Sequence, residues 1–580
     1  MKKHYLLLTI LTACFTYTAT AQDWQWIKAG GSSSSSLSAT TPEGTLDIGT
    51  DAQRNVYILS RLADGNSTTI EGNPIPYYGD YVGNADHIIS KYSCDGTYQW
   101  SRVIGGGGTE NIDALAVDPS GNVYVAGNFG GCNGSTGYPN QVHDVVLNNE
   151  PGNCTLLFIA KFDTNGNTVW VKEPQAPTTG SSAGADTRSF NFVLTDTGEI
   201  HWLLFLPPGS YADGAFINTQ PGSNFFIFKY DLQGNFIEAV PLTIAVNDNG
   251  YKTNLKMYRN PYSGNYVLSS TKSTDPATIS FDNGTPLTSG ALIAGFDTTG
   301  QFLWVRENTW QQQGTIFFHG IDFDVNNDMY IGFKMVGYNM DNFLGVSTSD
   351  SGILGFVLKA NSDASSVYWS THHDRTPSNL GDLILYNGDL YTTFWATDLL
   401  TWGNVSDQIT SSVADNPNVV LAKLDATTGN CLMVDHINGT PGNYDNGWAL
   451  EIDTAGDLLV GGYIGYDMYD ANGGATYSNG GYSDYFIAKY AMQACQPLKT
   501  TTVIDAGIEV YPNPAQDALH ITTQEALTYS ITTLEGKQLA TGTITTTNPT
   551  IAVAHYPTGI YLVTFTKPNG ATHTTKLVKE

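Results

Sequence analysis

Ile159-Ala160-Lys161-Phe162-Asp163-Thr164-Asn165-Gly166-Asn167-Thr168-Val169-Trp170 is the stretch on which the fold turns. It reads as an apolar strand, a tight turn and a second short strand. In the turn an Asp side chain can bond the backbone ahead of it, and the Gly accepts positive φ. The strand recurs as Ile89-Ser90-Lys91-Tyr92, Ile227-Phe228-Lys229-Tyr230, Ile293-Ala294-Gly295-Phe296, Val357-Leu358-Lys359-Ala360, Leu421-Ala422-Lys423-Leu424 and Ile487-Ala488-Lys489-Tyr490. Successive third positions lie 64 to 70 residues apart. Most copies enter the same Asp-x-x-Gly turn, as in Asp231 to Gly234 and Asp297 to Gly300. Four residues past the Gly stand Trp100, Trp170 and Trp304, with Trp369 in a degenerate copy and Glu238 and Met433 in the others.

A second hairpin precedes each copy. Ala114 to Val117, the turn Asp118 to Asn122 and Val123 to Gly127 form one; Glu451 to Asp453, Thr454 to Asp457 and Leu458 to Val460 form another. Each unit thus supplies about four antiparallel strands, and seven such units predict a β-propeller. The seventh apolar strand is followed by Ala491-Met492-Gln493-Ala494-Cys495, with no turn and no Trp strand. The missing strand lies at the other end of the mature chain, where Trp24-Gln25-Trp26-Ile27-Lys28 mimics Gln99-Trp100-Ser101-Arg102. Closing the last blade with the N-terminus removes both exposed sheet edges, which an open array would have to protect. The expected fold class is all-β: a seven-bladed propeller over residues 22–495, a linker at 496–506, and a small C-terminal Ig-like β-sandwich over 507–580.

The repeat resembles the loose β-propeller repeats of secreted bacterial proteins, best in Gly121-Asn122-Val123-Tyr124-Val125-Ala126-Gly127 and weakly in the third and sixth units. Those families carry no single activity, so the resemblance implies architecture alone. In the tail, Tyr511-Pro512-Asn513-Pro514, Asp517, Glu535-Gly536, Pro557-Thr558-Gly559-Ile560-Tyr561 and Lys576 follow in order between short β-like runs. The two prolines fix φ and make a rigid entry. This order resembles the type A C-terminal sorting domain of the type IX secretion system of Bacteroidetes. The resemblance implies recognition by the outer-membrane secretion machinery, removal of the tail, and release or surface attachment of the remainder.

Residues 1–21 read as a secretory signal peptide: Lys2 and Lys3, an apolar run from Leu6, and a small-x-small site ending at Ala21 before Gln22. Leu11-Thr12-Ala13-Cys14 also fits a lipoprotein signal, and that alternative stays open. No other segment is long and apolar enough to span a membrane as a helix. The formal charge is −28, and loss of the two leader lysines brings the mature chain to about −30. Such a chain repels phosphate backbones, which argues against a nucleic-acid partner. Five cysteines remain after cleavage. Cys132 and Cys154 flank one polar insertion and are the expected disulfide; Cys431 with Cys495 is a weaker second pair, and Cys94 is unassigned.

No catalytic signature is found: no Gly-x-Ser-x-Gly, no His-Glu-x-x-His, and no nucleophile with a matched base. Paired carboxylates remain open, because pairing is a spatial fact. Asp322 to Asp328 alternates acids as a calcium loop does, but lacks its Gly and distal Glu and aligns with the Asp118 hairpin turn. Calcium is the only ion the composition suggests; no cofactor and no metal ligand set is assigned. His372-His373-Asp374 places adjacent histidines on opposite faces of a strand. Gly105 to Gly108 lacks the Lys and the helix of a phosphate loop and corresponds to Ser32 to Ser36, so both read as blade connections. Trp310, Trp395, Trp402, Tyr463, Tyr466 and Tyr469 are off the repeat and are the aromatics available to stack on sugar or anchor a protein. The chain reads as an exported or cell-surface binding or structural protein with a glycan or protein ligand. The alternative is a secreted polysaccharide hydrolase or lyase with carboxylates on one propeller face.

Overall fold

The computed structural model describes residues 23–32, 43–62, 69–78, 85–107, 109–130, 139–148, 155–174, 187–247, 254–271, 278–281, 286–287, 291–307, 314–337, 340–348, 352–373, 379–409, 418–439, 445–465, 467–470, 475–477, 483–491, 495, 508–523, 525–533, 537–568 and 572–579. Two compact units divide between Cys495 and Gln496.

In the first unit the described residues form five four-stranded and two six-stranded antiparallel sheets, whose seven sets of four long strands we read as seven blades. Blade 1 runs Gly44–Thr50, Val56–Leu62, Asp86–Tyr92 and Tyr98–Gly105; blade 2 runs Thr109–Val117, Val123–Gly130, Thr155–Phe162 and Thr168–Lys172. The first strands of blades 3 to 6 are Arg188–Leu194, Asn254–Arg259, Gly314–Phe323 and Asn379–Tyr386. Blade 7 takes Asn446–Ile452, Leu458–Ile464 and Asp484–Ala491 from the end of the unit and Asp23–Gly31 from its beginning. Trp24 pairs with Tyr490 and Ile27 with Ala488, so the expected closure by the N-terminal strand is what the molecule does.

The core is a cycle of seven apolar layers between neighbouring blades. One joins Tyr57, Ile89 and Trp100 to Val125 and Phe158; another joins Leu459, Tyr485 and Ile487 of blade 7 to Ile58 and Ile88 of blade 1. The repeat residues are explained by this stacking. The Trp100 ring covers Gly166 in the turn of blade 2, where an added Cβ would stand 2.8 Å from it, and its Nε1 donates to the Thr164 carbonyl at 3.1 Å. Trp26 covers Gly96, Trp170 covers Gly234 and Trp369 covers Gly429 in the same way. Lys91 reaches across the same junction to Thr164 Oγ1 at 2.8 Å and lies 5.0 Å over the Tyr57 ring. The equivalent Lys489 is fully buried, held by Asp453 at 2.8 Å and Asp457 at 3.1 Å.

The weaker expected pairing, Cys431 with Cys495, is corrected. Cys495 pairs with Cys94 across a sequence separation of 401, and Cys431 is a half-buried free thiol. Cys94 sits in the turn after the third strand of blade 1, against Trp26 of the closing strand, whose Nε1 donates to the Cys94 carbonyl at 3.1 Å. The ends of the ring meet there, so circular closure, not local spacing, chose the partner. Cys132 and Cys154 lie outside the described residues, as do Ala21 and Gln22.

The second unit has a three-stranded sheet, Glu509–Tyr511, Ala518–Thr522 and Thr550–Ala552, and a four-stranded sheet ordered Gln538–Ile544, Leu527–Thr533, Gly559–Thr566 and Thr572–Lys579. Leu519, Ile531, Val563, Phe565 and Leu577 share one core between them, which fits a small β-sandwich. No helix among the described residues is long and apolar enough to cross a membrane.

Candidate functional site: the central cavity

The first strands of all seven blades line one cavity of ≈ 300 Å³, through Asp47, Ala114, Asn191, Lys256, Asp322, Asp382 and Trp448 among others. Six of these strands carry a register shift where they face the axis, for instance between Thr45 and Asp47 and between Leu380 and Leu383. A bulge leaves its extra residue unpaired and re-aims the side chain. Asp47, Asn191 and Asp382 occupy one equivalent bulge position and are used alike. Asp47 accepts from the Leu115 amide of the next blade at 2.7 Å, and Asn191 accepts from the Met257 amide at 2.8 Å while donating to the Met257 carbonyl at 2.8 Å. Asp382 accepts from the Leu450 amide. Two residues further along its strand, Asp322 accepts from the Leu385 amide at 2.8 Å.

Asp47, Asp322 and Asp382 are half-buried residues of the cavity lining. Burial pushes Asp47 up to about 7, against the pull of the Leu115 amide and of Lys256. Burial pushes Glu451 up to about 8, with Asp47, Asp382 and Asp322 adding repulsion. Asp322 and Asp382 are raised for the same first reason. Among the acids of the lining, Asp47, Asp322 and Asp382 are all raised by burial, and they stand beside Lys256 and Arg259, with Trp448 and Tyr258 as the aromatic lining. Trp448 stands edge-on to Tyr463 at 4.8 Å. Protonated carboxyls both donate and accept, which suits a hydroxyl-rich ligand.

The sequence missed this site. One signal was available: Asp47, Asn191 and Asp382 each precede by four residues the position of Asp51, Thr195 and Tyr386 that opens the hairpin turn.

Other expected site residues are dispersed. Asp324 accepts from the Asn326 and Asp328 amides at 2.9 and 3.1 Å and pairs with Lys359 at 2.9 Å, so the Asp322 to Asp328 stretch is a turn closed by a lysine. His372 is exposed, while His373 is fully buried and stacked on Phe394 at 4.8 Å; Asp374 lies outside the described residues. Trp402 is core, donating to Thr371 Oγ1 at 2.8 Å, whereas Trp395, Tyr463 and Tyr469 are half-buried. Trp310, Tyr466 and Gly108 lie outside the described residues. The structure does bring Asp407, Asp435 and His436 together, His436 Nδ1 standing 2.5 Å from Asp407.

In the tail, Asn513 ties the entry segment to the last strand. Its Nδ2 donates to the Lys576 carbonyl at 2.5 Å, and its Oδ1 accepts from the Val578 amide at 2.8 Å. The Asp517 carbonyl accepts from the Val553 amide at 2.7 Å. Tyr561 is buried and donates to the Pro557 carbonyl at 2.8 Å, beside Gly559. Tyr511 is exposed and stacks on His520, and the side chain of Lys576 faces solvent; Gly536 lies outside the described residues. The ordered motifs are thus the seam joining the first and last strands of this unit. Residues 509–580 match the family described as secretion system C-terminal sorting domain.

The tail is a type IX sorting domain. It marks the chain as secreted or displayed on the outer surface. The chain matches an uncharacterized WD repeat-containing protein of Acanthamoeba polyphaga mimivirus at 25% identity over 142 residues, 23% of this chain and 10% of that protein. Among solved structures it is similar to the Dos1 propeller (8% identity, TM-score 0.39, 81% of this chain and 96% of that one). It is also similar to the quinohemoprotein alcohol dehydrogenase of Comamonas testosteroni (12% identity, TM-score 0.35, 86% and 79%). At these scores the likenesses carry nothing about activity, and the propeller is read from the chain's own strand order.

Proposed function

We propose that the sorting domain delivers a glycan-binding propeller to the cell exterior, and that the ligand enters the central cavity. The observation that carries this reading is the convergence of Asp47, Asn191, Asp382, Lys256 and Trp448 from different blades on one cavity. A volume of ≈ 300 Å³ is at the lower end of ligand clefts and matches a short saccharide segment. Trp448 and Tyr258 are the aromatic lining available to a sugar, and Asp47, Asp322 and Asp382 are the carboxyls that can hydrogen-bond its hydroxyls.

The test is a glycan array with the intact chain, run beside an assay for released oligosaccharide. Retention without product, abolished by Trp448→Ala, supports the proposal. Product release would move the site to the hydrolase or lyase reading. Neither retention nor product would refute glycan recognition. Delivery is tested separately: a chain lacking residues 509–580 should remain in the periplasm on fractionation.

A further inference from the structure

Two junctions of the ring hide a pair of acids at equivalent positions. Asp86 and Asp484 each open a third strand, three residues before Ile89 and Ile487. Glu110 and Glu43 each lie eight residues before the hairpin aspartates Asp118 and Asp51, in the neighbouring blade. Asp86 thus faces Glu110 between blades 1 and 2, and Asp484 faces Glu43 between blades 7 and 1. All four are buried: 1% and 5% exposed in the first pair, 0% and 2% in the second. Gly105 and Gly106 at one junction, and Gly31 and Ser32 at the other, are the cradle. A Cβ on Gly105 would collide with the Asp86 carboxylate, and one on Gly31 with that of Asp484.

The two pairs are satisfied differently. In the second, the Ser32 amide and hydroxyl donate to Glu43 at 2.9 and 2.7 Å, and the two carboxyls are bonded to each other. Burial and the charge of Asp484 hold Glu43 well above its ordinary value there. In the first, Gly106 replaces the serine. Asp86 accepts from the Tyr78 amide at 2.7 Å and from Gly106, but neither oxygen of Glu110 has a hydrogen-bond partner. Burial, and then the charge of Asp86 across the junction, raise Glu110, and among the described residues neither acid forms an ion pair. Asn140, 1% exposed, brings its Oδ1 to 2.5 Å from where a Gly106 Cβ would stand. Two desolvated carboxylates without a counter-charge are costly, and an all-oxygen set is the chemistry of a hard divalent cation.

We propose that the junction of blades 1 and 2 binds a calcium-like divalent cation through Asp86 and Glu110, with Asn140 as the flanking oxygen donor. The ion bridges two blades and acts as a rivet for a protein delivered outside the cell, where sites of this class work at about 0.1–1 mM calcium.

The experiment uses the purified full chain stripped with chelator, then titrated with calcium alone. Melting temperature and displacement of terbium luminescence are read together. The wild type should melt several degrees higher with saturating calcium. Glu110→Gln should lose at least about tenfold in calcium affinity, which separates this site from Asp407, Asp435 and His436, whereas Glu43→Gln should bind as the wild type does. Should Glu110→Gln fail to fold, Asp86→Asn and wild-type terbium emission carry the test. The proposal is overturned if the wild type ignores calcium up to about 10 mM. It is equally overturned if Glu110→Gln responds like the wild type, or if it melts higher than a calcium-blind wild type, the mark of a shared proton.

Discussion

Breaking the Cys94–Cys495 bond is the sharpest test of circular closure. The substitution is Cys495→Ser, with Cys94→Ser as its partner and Cys431→Ser as the control. In the folded ring little should change, because the Cys94 turn is still held by Trp26 and the closing strand still pairs with Asp484–Ala491. The cost falls on the unfolded chain, which is released from a cross-link spanning 401 residues. The chain-entropy expression gives about 6 kcal/mol for a loop of that size, and removal of native disulfides typically costs about 2–5 kcal/mol. With an m-value of about 3 kcal/mol/M in urea, the midpoint should fall by about 1 M. Urea unfolding followed by tryptophan fluorescence measures this, with peptide mapping under non-reducing conditions to confirm the pairing. The free, half-buried Cys431 should shift the midpoint little. Equal midpoints for the oxidised wild type and Cys495→Ser, with the bond verified, would refute the reasoning. Peptide maps joining Cys495 to any other cysteine would do the same.

Further outcomes follow from the same contacts. Glu451 and Asp47, raised by burial to about 8 and about 7 from ordinary values of 4.5 and 3.8, keep protons that the unfolded chain has released. The unfolded state then binds fewer protons, so their contribution falls as pH rises from about 4 to about 8 and levels off above. Glu451→Gln should flatten the upper part of that slope in melting curves taken across the range. Gly166→Ala sets a Cβ 2.8 Å from the Trp100 ring at φ 76, and should cost about 1–3 kcal/mol by urea titration. Asp453→Ala combined with Asp457→Ala strands Lys489, which is 0% exposed, and should cost about 3–5 kcal/mol. Lys489→Met should cost less, because Arg54 still pairs with Asp453; equal losses would show that the pair carries no special burden.

The sequence alone determined the propeller, its N-terminal closure and the sorting tail. Those readings rest on local chemistry: Asp-x-x-Gly turns, period-2 apolar strands and motifs met in order. The Trp four residues after the turn Gly is legible where it recurs, at Trp100, Trp170 and Trp304, because those blades meet the same stacking problem, while Glu238 and Met433 fill the place elsewhere. Only the tertiary structure decided what the non-repeating residues do. Cys94 and Cys495 are neighbours because a ring brings its ends together, which spacing along the chain cannot express. The cavity acids were hidden because one equivalent bulge position is Asp47, Asn191, Lys256 or Asp382 in different blades. Glu110 and Asp86 look like surface acids in a strongly acidic chain. It is the packing of one blade against the next that removes them from water and gives their charge a purpose.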